Sequence, residues 1–131
     1  MAASRATVRG RLYDLPYGFP ALVVPEPDVL AVGTGDFVSD AALSGEEYAG
    51  PTEPLEGWDT VQGELMIFDD AEGRLPEIDA LEGFRPAEGG FYTRVLVPVT
   101  LPPPPGSVTA WAYSIEEGPG EHLPGGIWPP G

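Results

Sequence analysis

Apolar residues recur with period two along most of this chain and with helical period in one segment. Val8, Gly10 and Leu12 alternate with Arg9, Arg11 and Tyr13, which predicts a strand from Val8 to Leu15. Residues 16 to 20 turn the chain, and Ala21 to Val24 is a short apolar run that Pro25 and Pro27 terminate. Val29 to Val38 holds another candidate strand, interrupted at Gly33 and Gly35. Ala41 to Tyr48 suits a short helix with Asp40 as N-cap and Gly50-Pro51 as its stop. Thr60 to Phe68 is the clearest amphipathic strand, with Val61, Gly63, Leu65 and Ile67 on one face. Phe91 to Val99 is β-branched and extended, and residues 102 to 105 make a stiff proline connector. Val108 to Ser114 is the last strand, with Trp111 and Tyr113 on one face and Ala110 and Ala112 on the other. Residues 114 to 131 are rich in Gly and Pro and read as an irregular tail packed by Leu123 and Trp128. Strands in runs with one or two short helices predict an α+β domain, with a small, curved, mostly antiparallel sheet. A pure β-barrel is the second arrangement that fits.

The helical segment carries the candidate chemistry. Leu75, Ile78, Asp79 and Glu82 fall at i, i+3, i+4 and i+7, and Pro76 suits a first turn. Glu82 then projects between Leu75 and Ile78, where a hydrophobe is expected, and Gly83 ends the helix. Burial, the negative end of the helix dipole and repulsion from Asp79 would each disfavour a Glu82 anion. Together they would bring its carboxyl toward the range useful for proton transfer. A solvated Glu-Gly helix end is the alternative reading of the same residues.

Composition limits what the site can be. At 131 residues and 42% hydrophobic content the chain is expected to be one domain with a real core. No apolar run reaches the length of a membrane span, and Met1 to Thr7 offers no signal peptide, so a cytoplasmic protein is expected. Cysteine is absent, which excludes disulfides and thiolate metal sites. The one histidine, His122, lies in the Gly/Pro-rich tail. Twenty-one acidic residues face six basic ones, all arginine, for a net charge of −15. That balance argues against nucleic acid or an anionic membrane as partner, and suits a salt-rich cytoplasm. Without lysine there is no Walker A loop and no Schiff base, and Gly33-Thr34-Gly35 alone is a weak nucleotide signal. Leu55-Glu56-Gly57-Trp58 echoes Leu81-Glu82-Gly83-Phe84 but lacks helical periodicity, and reads as coincidence.

The order of motifs resembles the gamma-glutamylcyclotransferase-like superfamily. Val8-Arg9-Gly10-Arg11-Leu12-Tyr13 followed by Phe19-Pro20-Ala21-Leu22 is similar to its early strand and turn. Val61-Gln62-Gly63-Glu64-Leu65 resembles its central strand, and Asp79-Ala80-Leu81-Glu82-Gly83-Phe84 its Leu-Asp-x-x-Glu-Gly segment. Tyr92-x-Arg94-Val95 and Ala110-Trp111-Ala112-Tyr113 resemble its last strands. Residues 29 to 59 look like an insertion.

The resemblance implies a small barrel-like α+β fold with a cavity. It implies cleavage of a small-molecule gamma-glutamyl compound by internal cyclisation to 5-oxoproline, with Glu82 as general acid/base and no metal or cofactor. Tyr92 falls where the family often has a cavity-lining tyrosine, and a buried tyrosine satisfied by the core is the alternative. Tyr17 and Phe19, on the turn, are expected to line the same pocket. One departure stands out: nothing before Val8 matches the family's first strand and its Tyr-Gly-Ser-Leu type substrate loop. Truncation, a misplaced start or loss of activity would each leave that pattern. A non-catalytic member that binds a small molecule or protein in the cavity is therefore the rival reading, and an unrelated binding barrel a third. A sheet edge left open by the missing strand is expected to be covered by residues 114 to 131 or by a second subunit in a homodimer.

Overall fold

The computed structural model describes residues 2–14, 20–48, 50, 57–68, 70–82, 84–85, 89–90, 92–101, 106–115 and 120–127. At 2, 71–72, 81–82, 84–85 and 89–90 the description is of backbone alone. In chain order the elements are β1 (Ala2–Asp14), β2 (Pro20–Val23), β3 (Ala31–Val32), α1 (Phe37–Leu43), β4 (Asp59–Ile67), α2 (Ala71–Glu82), β5 (Phe84–Arg85), β6 (Gly89–Gly90), β7 (Thr93–Leu101), β8 (Gly106–Ser114) and β9 (Glu121–Leu123). The fold is α+β. Seven strands form one antiparallel sheet that is not closed into a barrel, and β5 pairs with β6 as a separate hairpin.

β1 organises the sheet. Its first part pairs with β4, from Ala2↔Ile67 to Gly10↔Asp59. Beyond that point β9 takes over the same edge, with Leu12↔Leu123 and Asp14↔Glu121. On its other edge β1 meets β7 at Thr7↔Thr100 and β2 from Arg11↔Val23 onward. β7 pairs with β8 over its full length, Thr93↔Ser114 to Leu101↔Gly106, and with β3 at Ala31↔Leu96 and Val32↔Val95. Leu30 and Gly33 donate to the carbonyls of Leu96 and Arg94. Backbone parity therefore aims the nitrogen of Pro98 at the gap between β3 and β1, where no N–H is required.

The alternation sorts the two faces of β7 and β8. Val95, Val97, Val99 and Ala110 pack with Ala6 as the main core, joined by Val8, Val24, Val29, Leu65 and Ala112. The opposite face carries Arg94, Trp111 and Tyr113, and both helices lie against it. The free edge of β8 is lined by residues 45–48, through Glu47↔Val108 and the Tyr48 amide on Ser107.

Several boundaries differ from the sequence reading. β1 starts at Ala2 because β4 is long enough to pair with its whole first half. Ile67, expected to face inward, is 52% exposed, since β4 outruns the core at its end. α1 begins at Phe37, and Asp36 rather than Asp40 is its cap: the Asp36 carboxylate accepts from the Ser39 amide at 3.1 Å and hydroxyl at 2.8 Å. α2 begins at Ala71, so Pro76 lies inside the helix. Asp70 starts it, accepting from the amides of Gly73 and Arg74. Within the segment read as an irregular tail, β9 is a regular strand.

Candidate functional site

Arg94 is the centre of the most constrained polar cluster among the described residues. Its side chain is 0% exposed, which for an ionised guanidinium demands a full set of acceptors. Asp79 on α2 supplies two: Arg94 Nε donates to Oδ1 at 2.8 Å and Nη2 to Oδ2 at 3.1 Å. This side-on pair is the strong geometry for an arginine and a carboxylate. The Tyr113 hydroxyl, from the register partner of Arg94 on β8, donates to the same Asp79 Oδ1 at 2.5 Å.

Asp40 on α1 closes the cluster from the other side. Its Oδ2 lies 3.1 Å from Arg94 Nη2 and accepts from the Thr34 amide at 2.8 Å. Its Oδ1 accepts from the Thr34 hydroxyl at 2.8 Å. The Thr34 carbonyl accepts from Arg94 Nη2 at 3.2 Å. Trp111 stacks on the guanidinium at 4.7 Å and Phe37 lies at 5.7 Å. The Trp111 indole N–H then donates to the backbone carbonyl of Asp40 at 2.8 Å. One buried cation is thus clamped between two carboxylates carried by two different helices.

Among the described side chains of α2, the inward-facing carboxylate is therefore Asp79. The spacing reading brought Leu75, Ile78 and Asp79 to one face, and Leu75 and Asp79 are buried with Ile78 half-buried. Glu82 is the last residue of α2, three residues beyond Asp79, and its side chain lies outside the described residues, so the structure does not test it. Tyr17 and Phe19 also lie outside the described residues. Tyr92 is buried with Ala21, Tyr113 and Ile115, and its hydroxyl donates to the Pro20 carbonyl at 2.8 Å. It thereby ties the start of β7 to the start of β2.

The clamp itself was missed in the sequence. A signal existed: Arg94 opens a strand that otherwise reads Val, Leu, Val, Pro, Val, and a buried arginine requires carboxylate partners. Asp79 on an apolar helix face was one such partner. Thr34 and Gly33 belong to the same cluster.

Other polar groups are more peripheral. Arg9 donates through Nε to Asp28 Oδ2 at 2.8 Å and through Nη2 to Oδ1, and Asp28 is buried. Beside this pair lies a shallow groove of about 310 Å³ including its open mouth, lined by Thr7, Val8, Arg9, Thr60, Pro98 and Thr100. His122 is paired with Asp59 at 2.7 Å beside the Tyr13 ring. Among the described residues no three His, Asp or Glu side chains are grouped to hold a metal ion. No helix there is long and apolar enough to cross a membrane. No family profile, curated protein or solved structure matches the chain.

Proposed function

We propose that this chain is a gamma-glutamylcyclotransferase-like protein that acts on a small gamma-glutamyl compound, with Glu82 as general acid/base. The observation that carries the reading is the contact between Asp79 and Arg94. These residues belong to two of the segments whose resemblance was noted separately, and they meet at 2.8 Å. The motif order is thus matched by a spatial relation that joins the end of α2 to β7.

In the proposed reaction the substrate's α-amine attacks its own γ-carbonyl carbon. A carbon–nitrogen bond forms in the five-membered lactam, and the γ-amide bond breaks. The Glu82 carboxylate accepts the proton that the attacking amine loses. The resulting carboxylic acid returns a proton to the departing nitrogen, so 5-oxoproline and a free amine or amino acid leave and Glu82 is regenerated. Its place suits this work: α2 ends at Glu82 with no basic residue in the last turn, so the negative end of the helix dipole disfavours the anion. The reading includes a cytoplasmic protein that uses no nucleic acid, membrane, metal or cofactor. A homodimer is the assembly it allows.

A second reading, a non-catalytic binder of the same fold, is favoured by Tyr92, whose hydroxyl is engaged by Pro20 inside the protein. One experiment separates the two. Purified protein is incubated with a panel of gamma-glutamyl amino acids and amines, and 5-oxoproline is followed. Release that Glu82→Gln abolishes supports the enzyme. Saturable binding without release supports the binder, and release unaffected by Glu82→Gln sinks the proposed mechanism.

A further inference from the structure

We propose that Asp79, Arg94 and Tyr113 are positioning residues for Glu82: they pin the last turn of α2 to the sheet, and the negative charge of Asp79 favours a protonated Glu82 carboxyl. The inference rests on the acid/base reading of Glu82, but its test does not depend on turnover.

The end of α2 needs an external anchor. The last four carbonyls of a helix have no partner within it, and final turns fray first. α2 is short, and Pro76 removes a further bond, the one that the carbonyl of residue 72 would accept. Asp79 is the anchor point. Its carboxylate takes three donor bonds, from Arg94 Nε, Arg94 Nη2 and the Tyr113 hydroxyl. These donors stand side by side, because Arg94 and Tyr113 are register partners on β7 and β8. Asp40 and the Trp111 ring hold the guanidinium from its other sides. The sheet therefore fixes Asp79, and Glu82 follows about 4.5 Å farther along the helix axis.

The same arrangement sets charge. Two carboxylates share one guanidinium, so Arg94 balances only one of the two negative charges it faces, and Asp79 is the one of the pair carried on α2. A negative charge one turn away and the helix C-terminus act in the same direction, toward a protonated Glu82. Asp79 thus both places the residue and biases its proton.

The test uses the full chain with ¹³C-labelled glutamate, the Glu82 carboxyl signal being assigned by its loss in Glu82→Gln. Tyr113→Phe removes one hydroxyl and keeps the ring. It should speed amide exchange at residues 80 to 82 at least about tenfold while β7 and β8 exchange at unchanged rates. Asp79→Asn, checked for a native amide spectrum, should lower the Glu82 titration midpoint by about half a pH unit. Unchanged exchange at 80 to 82 in folded Tyr113→Phe overturns the proposal, as does equal acceleration across the whole sheet. A Glu82 midpoint that stays put or rises in Asp79→Asn also overturns it. Failure of the wild-type chain to release 5-oxoproline counts against the acid/base reading alone, and the two NMR results still decide the positioning.

Discussion

Gly33 lies directly against the guanidinium of Arg94: a Cβ added there would stand 2.8 Å from Cζ and 3.0 Å from Nη2. The neighbour cannot retreat, because Arg94 is held by Asp79, Asp40 and Trp111. Gly33→Ala should therefore destabilise the fold by about 1–3 kcal/mol, as overpacking of a filled interior does. Gly35 provides the control. A Cβ there meets nothing within 4 Å, so Gly35→Ala should stay within about 0.5 kcal/mol of wild type. Urea melts of the two variants measure the contrast, and equal effects would contradict the packing argument.

Among the described residues, Arg94 is the one whose loss strands the most buried charge. Arg94→Met leaves Asp79 and Asp40 buried without their cation, and should cost about 3–5 kcal/mol. Arg94→Lys keeps the charge but loses the side-on geometry to Asp79, so it should recover only part. Asp79 and Arg94 should also couple in a double-mutant cycle, with an interaction energy of about 0.5–3 kcal/mol. Additive losses would mean that the pair does not act as a unit.

The cluster marks where sequence reasoning stops. β1, β4, β7 and β8 were legible because each is half-buried, and the faces of Ala110, Ala112, Trp111 and Tyr113 followed from a period of two. The inward face of α2 was legible for the same reason at a period of 3.6. Its start was not, because Pro76 looks like a first-turn residue until Asp70 is seen to cap the chain earlier. Asp40 and Asp36 stand one helical turn apart at the start of a short helix, and spacing alone does not say which caps and which is buried. That choice is made by Arg94, distant in sequence. Helical spacing likewise puts Asp79 and Glu82 on one face, and the partner that Asp79 finds comes from β7, fifteen residues away in sequence. β9 was not legible because its pairing depends on the edge that β4 leaves vacant, which is a tertiary fact.

Asp36 gives a pH prediction with a definite sign. The Ser39 hydroxyl and amide donate to its carboxylate and hold the carboxyl below its ordinary value. A group depressed on folding stabilises the fold at pH above its unfolded value, and that contribution disappears as pH falls through the lower folded value. The wild-type chain should therefore lose stability below the usual aspartate range by more than Asp36→Ala does. At neutral pH Asp36→Ala should be the less stable, and Asp36→Ser, which still caps, should lie between them. Melts from pH 2 to 7 check this, and parallel curves for wild type and Asp36→Ala would contradict it.

Added salt should raise the melting temperature. A net charge of −15 repels itself across the surface, and potassium chloride screens that repulsion within a Debye length of about 8 Å at physiological strength. The clamp around Arg94 is enclosed and should be screened far less. Melts at low and high potassium chloride should show a rising midpoint in both the wild type and Arg94→Lys. A midpoint that is flat or falls would count against a salt-adapted surface.

The last prediction concerns the edge of β1. β9 covers residues 12 to 14 of β1 through Leu12↔Leu123, Tyr13↔His122 and Asp14↔Glu121. Gly126 extends this cover by accepting from the Gln62 amide, and its positive φ of 67° with a close approach to the Thr60 carbonyl demands glycine. His122 adds the contact with Asp59 at 2.7 Å. Ending the chain after Ile115 removes all of these and leaves backbone donors and acceptors of β1 unpaired. An exposed strand of this kind pairs with another chain when it can. The truncated protein should therefore melt earlier and self-associate with rising concentration, as light scattering coupled to size exclusion would record. Gly126→Ala should weaken the cover without removing it, giving a smaller loss of the same sign. A truncated chain with unchanged stability and mass would show that β9 does not protect the edge.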